Sequence, residues 1–286
     1  MVEKALASGA DAVFLDLEDA VAPDNKAAAR EDVAYALKEL DWGHHRQSLF
    51  RANALDTPYF YRDLIEVVEG AGGSLDAIMV PKVNRAADLY AVSVLLSQLE
   101  LATGLEKGKI GLEAQIESAE GLTHVDAIAC ATPRLQALHF GPGDFAASLR
   151  MPQASIGVMD EWDDVYPGHR FHYAMQRIVV AARAQGLRVL DGPVADYGDE
   201  DGLRRSCLLA RSLGFDGKWC IHPAQIEVVN EVFSPTEEEV EWAKKVVTAY
   251  DEANAAGSVS VDGQMVDAAS IKMARNVLGK VPKKDS

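Results

Sequence analysis

The chain has 286 residues, 48% hydrophobic and 25% charged, with a formal net charge of −16 and a pI near 4.8. This balance fits a globular protein with one large core or two small ones, and it excludes the clustered Lys and Arg that nucleic acids and anionic membrane surfaces require. No apolar run approaches the ~20 residues that span a bilayer, the N-terminus lacks the layout of a signal peptide, and Cys130, Cys207 and Cys220 form no CxxC pair, so a cytoplasmic protein with buried thiols is expected.

The first segment, MVEKALASGAD, is helix-like, and AVFLDLED (12–19) then reads as a strand closing on Asp16, Glu18 and Asp19. A helical stretch follows over 24–40, with Asp24 as its expected cap. The same event recurs along the chain: SLFRANAL (48–55), AIMVPKV (77–83), a helix over 85–102, IGLEAQIES (110–118), ALHFGPGD (137–144), RVLDGPV (188–194) and GKWCIHP (217–223). A longer gap before 188 holds MPQASIGVMDEWDDVYPG (151–168), expected as a loop insertion. Beyond Pro235 a long helix is expected over 236–257, with acidic residues in its first turn. After it, 258–280 reads as a polar, Gly-containing segment leading into a short amphipathic helix.

Strand then helix, repeated at intervals of about thirty residues, implies parallel strands with right-handed crossovers, and a (β/α)8 TIM barrel fits best. Eight strands are expected and seven are found, while the chain opens on a helix, so the first barrel strand is expected to be missing. The expected domains are a TIM-barrel catalytic domain over 1–234 and a C-terminal helical extension and lid over 235–286. An open doubly wound sheet is the alternative, weakened by the lack of GxGxxG after the first strand. In a barrel the C-terminal strand ends converge on one mouth, which accounts for acidic groups there. Period-two alternation puts Asp16 with Glu18, and Glu113 with Gln115 and Glu117, on common faces.

Read as residues alone, Glu117 and Asp144 are helix caps, ion-pair partners or metal ligands. Asp19 either accepts from metal-bound water, with Glu18, or caps the loop before Pro23. Arg51 is a fixed cation at the mouth or a rim partner of Glu18, and both can hold. Lys82 has the position of a Schiff-base lysine, but nothing in the sequence shows the depressed pKa that role requires. His169 and His172 are three apart and could share a zinc, yet lack a third ligand. His222 is core or a backbone anchor. Asp267 alone reads as an exposed cap.

FLDLEDAVAPDNKAAAR, FRANALDTPYFYRD, IMVPKV, IESAEG, HFGPGDFAAS, GKWCIHPAQI and VDGQMVDAASIKMA together resemble the malyl-CoA lyase and β-methylmalyl-CoA lyase branch of the citrate lyase β-subunit-like family. The resemblance covers nearly the whole chain. It implies a TIM-barrel lyase dependent on Mg²⁺, with Mn²⁺ as a substitute, that cleaves CoA thioesters reversibly to glyoxylate and acetyl-CoA or propionyl-CoA. By the same resemblance Glu117 and Asp144 are the metal ligands and Arg51 the catalytic arginine. Asp267 becomes a lid acid or base that reaches a neighbouring subunit of a homo-oligomer, a trimer or hexamer. Glu18, Asp19 and Lys82 are expected around the metal and substrate. The alternatives are a citramalyl-CoA lyase producing pyruvate, a citrate lyase β-subunit working within a complex, and a non-catalytic CoA-ester binding protein.

Overall fold

The computed structural model describes residues 2–43, 47–153, 155–166, 169–252 and 258–281. They divide into two compact units, Met1–Val229 and Asn230–Ser286.

The first unit is built on seven parallel strands paired in sequence order: β1 (Ala12–Asp16), β2 (Gln47–Arg51), β3 (Ala77–Val80), β4 (Gly111–Ile116), β5 (Leu135–Phe140), β6 (Arg188–Asp191) and β7 (Gly217–Lys218). Each begins within two residues of its expected start, but all end sooner. The polar residues that close each run have turned into the loop, because the ladder stops where the chain must bend toward a helix. β3 and β4 are buried along their whole length, as a sheet covered on both faces requires.

The sheet is curled into a half-barrel. Arg188 at the start of β6 donates to Gln47 at the start of β2 over 3.0 Å, although these strands lie four apart in the ladder. A flat sheet would separate them by about 19 Å at the usual strand spacing. At the two edges, Phe14 of β1 packs on Trp219 just beyond β7, with ring centroids 4.8 Å apart.

Helices alternate with the strands. α1 (Val2–Leu6) precedes β1, and α2 (Lys26–Glu39), α3 (Phe60–Ala71) and α4 (Ala86–Thr103) follow the first three strands. α3 buries Phe60, Leu64, Val67, Val68 and Ala71, one stripe at helical period. Asp24 does not cap α2: Pro23 starts a 3-10 turn over Pro23–Asn25, and Asp24 lies inside it without a capping bond. Lys26 at the start of α2 instead ties down the loop after β1, its Nζ donating to the carbonyls of Leu17 and Glu18 at 2.6 Å each.

After β4 come α5 (Ala119–Thr123) and α6 (Val125–Ala129), and after β5 α7 (Pro142–Ser148). The expected loop insertion contains α8 (Glu161–Val165), capped by Asp160, while positions 154, 167 and 168 lie outside the described residues. α9 (His172–Ala184) leads to β6, and α10 (Glu200–Leu213), capped by Asp199 and ended by left-handed Gly214, leads to β7. The boundary between the two units falls within α11 (Ile226–Phe233). Cys207 is buried as expected, Cys220 partly so, and Cys130 is exposed. No described helix is long and apolar enough to cross a membrane.

The second unit contains the end of α11 and then α12 (Glu237–Glu252), and the last five positions of the expected 236–257 helix lie outside the described residues. The segment after it is not merely a polar lead-in. It forms an antiparallel hairpin, β8 (Ser258–Val261) and β9 (Gln264–Asp267), before α13 (Ala268–Gly279). Asp262 and Gly263 both take positive φ, 50° and 79°, the two-residue turn that Asp-Gly favours. Ala243, Val246, Val261, Val266, Ile271 and Ala274 form its core.

Candidate active site

Asp16, the last residue of β1, pairs in register with Arg51, the last of β2. Across that step Arg51 donates from Nε and Nη2 to the two Asp16 carboxylate oxygens at 2.8 and 2.7 Å. Its Nη1 lies 2.9 Å from Glu18 Oε2, and its face lies 5.6 Å from the Trp219 ring. Burial alone would raise Asp16, but the Arg51 fork outweighs it and holds the carboxyl below its ordinary range. Arg51 itself is held well above the ordinary arginine range, Asp16 and Glu18 overcoming its burial. Two of the five guanidinium N–H groups are hydrogen-bonded, both to Asp16, while the Glu18 contact is an ion pair without hydrogen-bond geometry, both Glu18 carboxylate oxygens having no hydrogen-bond partner among the described residues.

Lys82 follows β3 with φ of +52°, a left-handed conformation that a side-chain-bearing residue adopts only where its surroundings hold it. The twist directs its backbone N–H at Glu117 Oε1, 2.8 Å away. Its ammonium lies 2.9 Å from Glu18 Oε1 and 3.6 Å from Asp19 Oδ1. Burial would lower Lys82, yet Glu18 foremost, then Asp144 and Asp19, drive it above the lysine range. That shift runs opposite to the depressed pKa a Schiff-base lysine requires. Asp19 is exposed at the loop surface, whereas Glu18 is buried beneath Arg51 and Lys82. Its own carboxyl is raised, burial exceeding the pull of both cations.

Glu117, one residue past β4, is 2% exposed. It accepts from Lys82 N and from Gln115 Nε2, the latter at 2.5 Å. Burial first, then the charges of Glu18 and Asp144, push its carboxyl up to about 8. The expected common face is real: Glu113, Gln115 and Glu117 all project into the buried interior, and Gln115 Oε1 has no partner among the described residues. Asp144 does not end a strand as expected; Pro142 starts α7, and Asp144 lies exposed in its first turn.

These residues fit a divalent cation. Two hard carboxylates, Glu117 and Asp144, repel one another across a site where burial penalises a lone negative charge, and a dication relieves both penalties. Among the described residues no group of three His, Cys, Asp or Glu side chains forms a preformed metal cage. Magnesium asks for less, one or two carboxylates with water and substrate completing its shell. Gly141 keeps the space open, because a Cβ there would strike the Glu117 carboxylate and the Gln115 amide. Gly141→Ala is therefore expected to lower Mg²⁺ affinity about 10- to 100-fold without touching a charge, read by calorimetry; unchanged affinity would refute the steric argument.

The remaining candidates separate from this cluster. Asp267 caps α13 in the second unit, its Oδ1 accepting from Ala269 N and Ser270 N, and these bonds lower its carboxyl below the ordinary range. His169 is half-buried with positive φ, while His172 is exposed at the start of α9. His222 is a backbone anchor, its Nδ1 accepting from Ala224 N.

The profile of the HpcH/HpaI aldolase/citrate lyase family matches residues 1–223. The L-malyl-CoA/β-methylmalyl-CoA lyase of Cereibacter sphaeroides is 43% identical over 97% of this chain and 89% of its own.

The chain belongs to the HpcH/HpaI aldolase/citrate lyase family.

A (3S)-malyl-CoA thioesterase from the same organism is also similar, at 38% identity over 98% of this chain and 89% of its own. Among solved structures, CitE of Mycobacterium tuberculosis, in complex with magnesium, acetoacetate and coenzyme A, superposes with a TM-score of 0.75 at 30% identity, covering 97% of this chain and 92% of that one. Within this HpcH/HpaI family member, sequence reasoning missed Asp16 as the principal partner of Arg51, and it missed Gly141 and Trp219. Only Gly141 carried a local signal, the Gly-Pro-Gly turn after β5.

Proposed function

We propose that the chain is a Mg²⁺-dependent carbon–carbon lyase that reversibly cleaves L-malyl-CoA and β-methylmalyl-CoA to glyoxylate plus acetyl-CoA or propionyl-CoA. The observation that carries this reading is the buried Glu117 carboxylate, raised to about 8 by burial, Glu18 and Asp144 and set beside the Arg51 cation. The 43% identical relative supplies the substrate class. Bound by Glu117 and Asp144, Mg²⁺ would act as a Lewis acid toward the hydroxy-acid end of the substrate. Arg51 offers N–H groups not bonded to Asp16 to the oxygen on which charge develops, pre-oriented by the Asp16 fork and the Glu18 charge. Lys82 adds fixed positive charge, and Glu18 keeps both cations in place.

In this reading the seven strands are strands two to eight of a (β/α)8 barrel, a view supported by the approach of Phe14 to Trp219. The Asn230–Ser286 unit serves as a lid in a cytoplasmic homo-oligomer and carries Asp267 to a neighbouring subunit. There Asp267 protonates the enolate α-carbon in cleavage and removes that proton in condensation. Asp267→Asn separates this role from capping, because the amide keeps an Oδ1 acceptor for Ala269 and Ser270. The variant should melt within a few degrees of the parent yet lose about 100-fold or more in kcat. Retained kcat would reduce Asp267 to a cap. Mixing Asp267→Asn with Glu117→Gln subunits should restore activity if Asp267 acts in trans.

The deciding assay combines glyoxylate with acetyl-CoA or propionyl-CoA and Mg²⁺, with and without EDTA, and seeks the condensed ester by mass spectrometry. An EDTA-sensitive product supports the lyase. Product from pyruvate alone points to citramalyl-CoA, free CoA and malate to thioester hydrolysis, and ligand binding without turnover to a non-catalytic binder.

A further inference from the structure

Beneath Arg51 the barrel interior carries a buried polar chain that the reaction as described does not use. Trp219, just past β7, lies with its ring against the Arg51 guanidinium, 5.6 Å from ring centroid to the guanidinium carbon. Its Nε1–H donates to His139 Nδ1 over 2.8 Å, and His139 Nε2 lies 2.8 Å from Glu113 Oε2. An indole nitrogen only donates, so His139 Nδ1 must be an acceptor, and the imidazole proton sits on Nε2, facing Glu113. Glu113 is anchored in turn through Oε1 by Arg188 at 2.9 Å. The links come from β4, β5, β6 and the segment after β7, with Leu49, Ala77, Met79 and Phe14 packed around the indole.

An apolar filling would serve stability as well as a buried Glu–His–Trp chain, since polar groups in a core must all be satisfied before they break even. The chain does something an apolar filling cannot: it fixes the rotation of the indole. Asp16 forks the guanidinium along its Nε–Nη2 edge, and Glu18 attracts Nη1 without a directional hydrogen bond, which leaves the plane able to tilt about the forked edge. The indole face supplies the missing constraint. We propose that Trp219 is a positioning residue for Arg51, with His139 and Glu113 setting the plane of the indole so that Arg51 N–H groups not bonded to Asp16 face the developing oxyanion. The inference rests on the reading of Arg51 as the catalytic cation.

The test is a double-mutant cycle on the full chain, with kcat and KM for the CoA thioester and thermal melting measured for each variant. Trp219→Leu removes the face, Trp219→Phe keeps a ring but loses the N–H, and Arg51→Lys keeps the charge without a planar face to stack. Trp219→Leu should lower kcat about tenfold with KM within about twofold, and Trp219→Phe should recover part of the loss. In the Arg51→Lys background the same Trp219→Leu change should cost less than about twofold, because there is no longer a plane to orient. Equal fractional losses in both backgrounds would overturn the proposal, since damage to the barrel floor multiplies with any other defect. Arg51→Lys at full parental kcat would overturn the reading of Arg51, and the positioning role with it. As a check independent of turnover, nitrogen NMR of the parent should give His139 as the neutral Nε2–H tautomer; an Nδ1–H tautomer would break the chain at its central link.

Discussion

Glutamine at Glu117 is expected to lower kcat about a thousandfold while making the metal-free protein more resistant to heat at high pH. The amide keeps the volume and still accepts from Lys82 N, but it cannot supply the anionic oxygen that magnesium requires. The stability effect follows from the sign of the pKa shift. Glu117 is raised from 4.5 to about 8, so between those values the folded protein retains a proton that the unfolded chain has released. Its contribution to stability is complete below about pH 4.5, declines across that window, and is lost once pH passes about 8, where the carboxylate ionises beside Glu18 and Asp144. The glutamine variant lacks this decline. Added Mg²⁺ should raise the melting temperature of the parent above pH 8, by favouring the ionised carboxylate, and leave the variant unmoved. An unchanged Mg²⁺-dependent shift in the variant, or activity above a tenth of the parent, would remove Glu117 from the metal site.

Arg51→Ala should damage both fold and chemistry, and so differ from Glu117→Gln, which damages chemistry alone. The substitution leaves Asp16 without its fork and Glu18, at 5% side-chain exposure, with Lys82 as its remaining cation. Removing one partner of a buried ion pair costs about 3–5 kcal/mol, and these pairs lie toward that range because both carboxylates are largely covered. Asp16 also loses the interaction that lowers it. In the parent that interaction contributes stability above pH 3.8 and is lost as the pH falls through the depressed folded value, so the acid-labile step near Asp16 should vanish in the variant. Turnover should fall about 100- to 1,000-fold through loss of the oxyanion donors. Denaturant unfolding at two pH values and a kcat measurement test this together. A variant within about 1 kcal/mol of the parent and within tenfold of its rate would mean that Asp16 and Glu18 find other partners.

The strand positions were legible because a parallel strand announces itself locally, by a short β-branched run followed by a polar residue at the turn. The places of Glu117 and Arg51 at strand ends were legible for the same reason, while their roles came only from the family resemblance. The Asp262-Gly263 turn was equally local and marks the hairpin in the second unit, although the surrounding polar residues made it read as a lead-in to a helix. The start of α7 was obscured because the apolar run of β5 continues into Gly141-Pro142, and proline at the first helical position moved Asp144 from a strand end to a helix turn.

What the sequence by itself determined was the period: seven strand-helix units, which residues share a strand face, and which charged groups reach the mouth. The tertiary structure decided the partners. That Arg51 is forked by Asp16, that its face rests on Trp219 from a strand five places away in the ladder, and that Glu117 has room only because residue 141 lacks a Cβ all depend on the curl of the sheet. Periodicity specifies a direction along one strand; the distance between side chains 35 or 168 positions apart is set by register and curvature, which arise when the whole core packs at once.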